Sequence, residues 1–417
     1  MVNHQAITGK TRRLALRPFL RQALALAGLL LALSSASAQP AHMPQRPARA
    51  QLASGVAWAP DGRLWLVGLD TQGRLFVQTA PAHELQRWSA PRVLDTAGDA
   101  ISADGENRPK LAFGPQGQVV ISYTQPLAQP YTGMIRMLRS SDGGQTFSAP
   151  FTVHADRQPI THRFESIAFD ALGVLHTVWI DKRDQVLAPK VGKKSSYRGA
   201  AIYRNASSDG GATFGPDIKL ADHSCECCRI ALARGADGRL RALWRHVFEP
   251  NVRDHAFAVL ADDPSVGVVR ATFDGWQVDA CPHHGPGLAL AADGGFHAVW
   301  FGIRREGADD VAAVRYARLN ADGSPRLDSV RALPDEAAEH ADVLAAGQRV
   351  ALVWRSVQGA RSTLLAWLSN DGGQTFRLHT LAQVQGDNDH PRLAQQGERL
   401  VVVWRNTKEV QVHELHF

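Results

Sequence analysis

The chain repeats one pattern seven times, and that repeat limits the fold more than any other feature. Each unit opens with a short apolar strand ending in a small residue. A turn containing Gly follows, then a strongly apolar strand that often closes on Trp. The opening strands are Gly55-Val56-Ala57, Lys110-Leu111-Ala112, Ser166-Ile167-Ala168, Arg229-Ile230-Ala231, Gly287-Leu288-Ala289, Val343-Leu344-Ala345 and Arg392-Leu393-Ala394. Their second strands run from Arg63, Val119, Leu175, Leu240, Phe296, Val350 and Leu400. The spacing is roughly 50–65 residues and the alternation has period two, so no helix is expected in the repeat region. Such units form a radial β-propeller or a solenoid. The fold class expected is all-β, a propeller of four-stranded blades. The last unit has room for only three strands, and the lead-in could supply a closing one.

The repeat begins at about residue 51, and what precedes it reads differently. Lys10, Arg12, Arg13, Arg17 and Arg21 precede an apolar run (QALALAGLLLAL, residues 22–33) that is too short to cross a bilayer. Ala36-Ser37-Ala38 then offers a cleavage site, so residues 1–38 read as a secretory signal peptide for Sec or Tat export. Residues 39–50 form a flexible lead-in, and 51–417 the propeller. Five of the six net positive charges lie in the signal, which leaves one for the rest and argues against a nucleic-acid binder. No later stretch is apolar enough to span a membrane. The mature chain is expected in the periplasm or outside the cell, where thiols oxidise readily.

Three units carry a further motif at the turn between the third and fourth strands: Ser140-Ser141-Asp142-Gly143-Gly144-Gln145-Thr146-Phe147, Ser207-Ser208-Asp209-Gly210-Gly211-Ala212-Thr213-Phe214 and Ser369-Asn370-Asp371-Gly372-Gly373-Gln374-Thr375-Phe376. Asp accepts from backbone N–H groups of its own turn, Gly-Gly takes positive φ, and the aromatic packs between blades. These stretches resemble the Asp-box of the sialidase superfamily. The resemblance implies a β-propeller, commonly six-bladed, against the seven units counted here. It also implies an Arg cluster for a substrate carboxylate, a Tyr–Glu nucleophile pair and an Asp acid. Asn107-Arg108-Pro109 approximates the family's Arg-x-Pro motif, so Arg108 is carried over as the first arginine. None of the five tyrosines falls at an aligned mouth position. Glu165 with Asp181 or Asp254 stands as the carboxylate set for glycoside hydrolysis.

In a propeller the segments leading into the innermost strands share one face with the loops after the second strands. The leading segments are Glu106-Asn107-Arg108-Pro109, His162-Arg163-Phe164-Glu165, Cys225-Glu226-Cys227-Cys228, His283-His284-Gly285-Pro286, Glu339-His340-Ala341-Asp342 and Asn388-Asp389-His390-Pro391. The loops add Asp181, Arg245, His246, Arg253, Asp254, Arg355 and Arg405, with Trp-Arg recurring three times. Guanidinium groups around a mouth suit an anionic ligand such as a sugar acid, and Arg163, His340 and His390 join Arg245, His246, Arg253, Arg355 and Arg405 as its expected contacts. The alternative is that each Arg caps its blade.

All four cysteines sit in two of these segments, at Cys225, Cys227, Cys228 and Cys281, the last beside His283 and His284. Disulfides are one reading, with Cys225–Cys281 stapling two blades or Cys227–Cys228 forming a vicinal pair. A soft metal, copper or zinc, is a second, held by Cys225, Cys227, Cys228 and Cys281 with His283 or His284. A redox-active thiol site is a third. No organic cofactor is indicated. The functions that follow are soft-metal binding at the mouth, exo-acting hydrolysis of an anionic sugar, or an interaction module stapled by disulfides. A protein partner is left open.

Overall fold

The computed structural model describes residues 50–191, 194–261, 267–280 and 282–417. The expected signal peptide, the lead-in up to Arg49, and Cys281 lie outside the described residues. No helix among the described residues is long and apolar enough to cross a membrane.

The innermost strands are Gly55–Trp58, Lys110–Phe113, His162–Phe169, Ala231–Arg234, Gly287–Leu290, Ala338–Ala346 and Arg392–Gln396. Each lies beside the next, and the last lies beside the first, so the ring closes on seven blades. Six blades are four-stranded antiparallel sheets and the seventh has three strands. The blade number is therefore seven, not the six common in the resembling family. Six of the seven opening strands fall where the repeat placed them. The fourth begins at Ala231, not Arg229, because the cysteine stretch approaches the ring irregularly. A one-turn helix, Arg183–Leu187, and a 3-10 turn, Leu327–Ser329, also break the all-strand expectation; the first sits in an insertion of blade 3.

The core is divided like the ring. Seven clusters of buried apolar side chains lie one at each blade-to-blade interface, from the blade 1–2 cluster around Val67 and Ile121 to the blade 7–1 cluster around Val401 and Leu66. The second strands feed these clusters, and their closing tryptophans are buried, four of them with the indole N–H satisfied. Trp179 Nε1 donates to Asp181 Oδ2 at 2.8 Å, Trp300 to Asp274 Oδ2 at 2.7 Å, Trp354 to Asp335 Oδ2 at 2.7 Å, and Trp404 to the Asp389 carbonyl at 2.9 Å. Truncating one such side chain costs about 3–5 kcal/mol.

The three-stranded blade does not leave a bare edge. The connection between the third and fourth strands of blade 1 lies along Val410–Glu414. From it Trp88 Nε1 donates to the Val410 carbonyl at 3.3 Å, Gln86 donates to the Val412 carbonyl, and Leu85 joins the apolar cluster. Side-chain donors thus occupy carbonyls that a fourth strand would have paired.

The Asp-boxes are structural turns. Ser140 Oγ donates to Asp142 Oδ1 at 2.7 Å and accepts from Gly144 N at 2.8 Å, while Thr146 Oγ1 donates to Asp142 Oδ2 at 2.6 Å. Ser207/Asp209/Thr213 and Ser369/Asp371/Thr375 repeat the pattern. Gly144 is required twice over. Its φ is +85°, and a Cβ there would lie 2.5 Å from the Trp65 ring of the neighbouring blade.

Candidate functional site

The leading segments meet at one buried carboxylate. Glu106, from blade 2, reaches across the axis to four other blades. Its Oε2 accepts from Arg229 N at 3.1 Å and Gly285 N at 2.9 Å. Its Oε1 accepts from Arg229 Nη1 at 2.8 Å and His340 Nδ1 at 3.1 Å, with His390 Nδ1 at 3.5 Å. Burial opposes its charge, but Arg229, His340 and His390 outweigh that and hold the carboxyl well below the usual range. The close approach needs glycine: a Cβ on Gly285 would lie 2.6 Å from Glu106 Oε2.

Three imidazoles and a phenyl ring form a column beside this carboxylate. His390 stacks on His340 at 3.4 Å, His340 on His284 at 4.3 Å, and His284 on Phe301 at 4.4 Å. Burial lowers the pKa of all three histidines, with that of His284 down to about 3, so each ring is neutral at physiological pH. His340 holds its place with φ +51°, in the left-handed region that non-glycine residues seldom adopt.

His340 and His390 also line the mouth pocket, a cavity of 620 Å³ between blades 6, 7, 1 and 2. Its wall carries Asp104, Glu339, Asp387 and Asp389 against a single arginine, Arg355. That balance is the reverse of the arginine-rich mouth expected. Below Glu106 a second cavity of 230 Å³ follows the axis and is lined by all seven blades. Its charges come in pairs. Arg229 faces Glu106 at 2.8 Å and Arg392 faces Asp342 at 3.5 Å, while Arg108 and Lys110 reach outward to Asp389 at 3.1 Å and Glu165 at 3.6 Å.

The arginines expected to hold a ligand hold the ring together instead. Arg245 donates to the Phe301 carbonyl of blade 5 at 2.7 Å and to the His284 carbonyl at 2.9 Å. Arg355 donates to the Asn388 carbonyl of the blade 7 approach at 3.1 Å, and Arg405 to the Leu69 carbonyl of blade 1 at 2.7 Å. Each Trp-Arg pair therefore ties its blade to the next through backbone carbonyls, and Arg355 also meets the carboxylate partner that was the alternative expected, Glu339 at 3.2 Å. Arg253 donates to the Val278 carbonyl at 3.2 Å. Arg163 lies 3.4 Å from Asp104. His246 is packed against Phe248, and burial lowers its pKa to about 4.

The carboxylates expected to hydrolyse a sugar are each engaged by partners within the fold. Glu165 is fully buried and accepts from Ser122 Oγ at 3.0 Å and Thr124 Oγ1 at 3.1 Å. Asp181 is held by Arg183 at 2.7 Å and Trp179. Asp254 accepts from Asp274 N at 3.0 Å and pairs with Arg270, while burial raises its pKa. None of the three lines the mouth pocket. Arg108 is also enclosed, donating to the Ser54 carbonyl at 2.7 Å. Glu106 was not singled out from the sequence, although it stands in the same column of leading segments.

The cysteines occupy a different setting. Cys225, Cys227 and Cys228 are buried in the apolar cluster between blades 3 and 4, alongside Trp244 and Phe164. Cys225 Sγ lies 3.8 Å from Cys227 Sγ and 3.7 Å from Cys228 Sγ, and all three sulfurs lie within 4.8 Å of one another. No S–S bond of about 2.05 Å joins Cys225 to either neighbour. The Cys225 contact and burial push the Cys228 thiol up, against an opposing pull from Cys227. His284 does not join the sulfurs, since its ring belongs to the mouth column. His283 is exposed with φ +54°. Unlike its counterparts in blades 3, 5, 6 and 7, the Trp244 indole N–H has no partner.

No family model and no curated protein matches the sequence. Solved structures do match in fold. An ulvan lyase bound to a GlcA(1-4)Rha3S unit aligns at TM-score 0.56 with 11% identity, over 88% of this chain and 93% of that one. The polysaccharide lyase Uly1 aligns at TM-score 0.52 with 9% identity, over 88% and 91%. A Hadza microbial sialidase aligns at 0.49 with 15% identity, over 82% and 73%. At these identities the first two show the propeller fold and nothing finer, and the third adds no argument.

Proposed function

We propose that this is an exported metal-binding propeller that holds one soft cation, copper(I) or zinc(II), between Cys225, Cys227 and Cys228. The supporting observation is the spacing of the sulfurs. Ligands on a tetrahedral ion with Zn–S bonds of about 2.3 Å stand ~3.8 Å apart, and Cys225 Sγ stands 3.8 Å from Cys227 Sγ and 3.7 Å from Cys228 Sγ. Three neutral thiols could pack at such a distance without an ion. Yet all three sulfurs are gathered within 4.8 Å of one another in one apolar interface, a ready ligand set for a soft ion. Thiolates select copper(I) or zinc over magnesium or calcium. Cys281 stays in the proposal as the fourth ligand.

Bound metal and reactive thiols, measured together on protein purified from the exported fraction, test this reading. One equivalent of copper or zinc, lost in Cys227→Ser with the circular dichroism unchanged, is the expected result. Protein with neither metal nor titratable thiols has paired its cysteines, and that outcome sinks the proposal in favour of structural disulfides.

A further inference from the structure

We infer that the axial cavity below Glu106 is an anion site that takes inorganic phosphate, held by Arg392 and Lys110 and recognised through its P–O–H group by Asp342. The site shares no residue with the sulfur cluster and does not depend on it.

The cavity has donors without acceptors. Four cationic side chains, Arg108, Lys110, Arg229 and Arg392, line its 230 Å³ against two carboxylates, Glu106 and Asp342. The Glu106 end is closed: two backbone N–H groups, Arg229 Nη1 and His340 fill its four lone pairs. The Asp342 end is open. Arg392 Nη1 stands 3.5 Å from Asp342 Oδ2, too long for a good hydrogen bond, and is buried with no acceptor among the described residues. Arg108 Nη2 is buried without an acceptor too, on a residue only 4% exposed. Lys110 donates one of its three N–H groups to the Arg108 carbonyl at 2.8 Å and lies 3.6 Å from Glu165. The cations also crowd one another. Burial takes the pKa of Arg392 down to about 10, and Arg229 and Arg108 push the same way against Asp342. Burial likewise lowers the pKa of Lys110, with Arg108 and Arg392 adding to it against Glu165. Buried N–H groups left without an acceptor cost stability. An anion in the cavity supplies the acceptor and relieves the crowding.

The donors and the one free acceptor together select the anion. A guanidinium presents a planar fork that matches the edge of an oxyanion, which a single-atom anion cannot fill. Asp342 then decides between oxyanions. Its Oδ2 accepts from Leu393 N at 3.0 Å, while its Oδ1 receives no hydrogen bond from the described residues. The residue is only 6% exposed and lines the cavity, so the ligand must bring the donor. Phosphate at neutral pH keeps at least one proton, and sulfate keeps none. A wall carboxylate therefore accepts a hydrogen bond from phosphate and repels sulfate. The same carboxylate, with Glu106 at the other end, opposes any anion that has no proton to offer.

Inorganic phosphate and sulfate, titrated into the untagged full chain after chelator treatment so that no metal recruits the anion, test this. Calorimetry on the wild type is expected to show one equivalent of phosphate bound, roughly tenfold tighter than sulfate at matched ionic strength. Phosphate should also raise the melting temperature more than sulfate does. Arg392→Gln and Lys110→Gln should each weaken phosphate roughly tenfold. Asp342→Asn should erase the preference by admitting sulfate, with the circular dichroism unchanged. Phosphate freed by acid denaturation of freshly purified wild type is a supporting readout that needs no variant. A wild type that frees no phosphate and whose calorimetry and melting temperature answer to neither anion overturns the proposal, and the cavity then holds water alone. Binding indifferent to both cation variants, or equal affinity of the wild type for phosphate and sulfate, overturns it as well.

Discussion

The sulfur cluster and the mouth cluster use the same ring in opposite ways. Cys225, Cys227 and Cys228 come from four consecutive residues and sit in a dry interface between two blades. Glu106, His340 and His390 come from three blades and meet where the ring's axis opens into a polar pocket. A donor in the apolar interface is compatible with folding only while it stays neutral or binds a soft ion. A donor at the mouth can carry charge, because blades on the far side of the axis supply counter-charges and N–H groups. The sulfur cluster is thus a local device set into the core, whereas the mouth cluster exists only because the ring closes.

That contrast can be broken most decisively at Glu106. Glu106→Gln leaves the Arg229 guanidinium buried without its carboxylate and is expected to cost about 3–5 kcal/mol in urea unfolding. A loss under about 1 kcal/mol would mean that the mouth does not depend on this charge.

Acid should separate the regions next. Unfolded histidine titrates near 6.5, while folded His284 is held down to about 3. Below pH 6.5 the unfolded chain therefore takes up a proton that the folded ring refuses. Stability is full above that pH and falls as pH drops, by about 2 kcal/mol for this ring between pH 7 and pH 5. Glu106 adds its own loss only below about pH 4.5, as its depressed carboxyl protonates. His284→Phe should remove the first loss and keep the stack, which unfolding midpoints at the two pH values will show. An unchanged pH dependence would place the acid sensitivity elsewhere.

Cys227→Ser tests the other region. In metal-free protein it should cost about 1–2 kcal/mol, the cost of a hydroxyl in an apolar interface. The cost should grow once the wild type is loaded with metal, because a ligand bound only to the folded state adds stability. Equal costs with and without metal would reduce the cysteines to packing. The smallest effect is expected at Arg355→Ala, about 1 kcal/mol by thermal melting, because its neutral tie to the Asn388 carbonyl is a single modest hydrogen bond and its cross-strand partner Glu339 is partly exposed. A larger loss would show that Arg355 matters chiefly as the tie between blades 6 and 7.

The repeat made the propeller legible in sequence. Six of the seven opening strands, the seven apolar second strands and the three Asp-box turns stand where the period-two pattern and the Gly-Gly turns put them. Each is a local consequence of side-chain alternation or of positive φ. The exceptions have local causes too: the Cys225–Ile230 approach is irregular, and Arg183–Leu187 belongs to an insertion that carries no repeat.

The candidate sites divide along the same line. Cys225, Cys227 and Cys228 could be proposed together from sequence because three residues within one turn of chain must be close wherever that segment goes. His340 and His390 could be placed in one column of leading segments, but not against each other or against Glu106. The registers that bring residues 106, 340 and 390 to one point are set by seven interfaces and by the closure of the last blade on the first. The roles of Arg245, Arg355 and Arg405 were settled in the same way. The sequence shows a guanidinium after Trp244, Trp354 and Trp404, and only the packed neighbour decides whether it meets a ligand, a carboxylate or a backbone carbonyl. Sequence by itself determined the blades and the sulfur-rich stretch, because both depend on contacts between near neighbours. Tertiary structure alone decided what occupies the axis, because that depends on which distant side chains the closed ring forces to share one buried carboxylate.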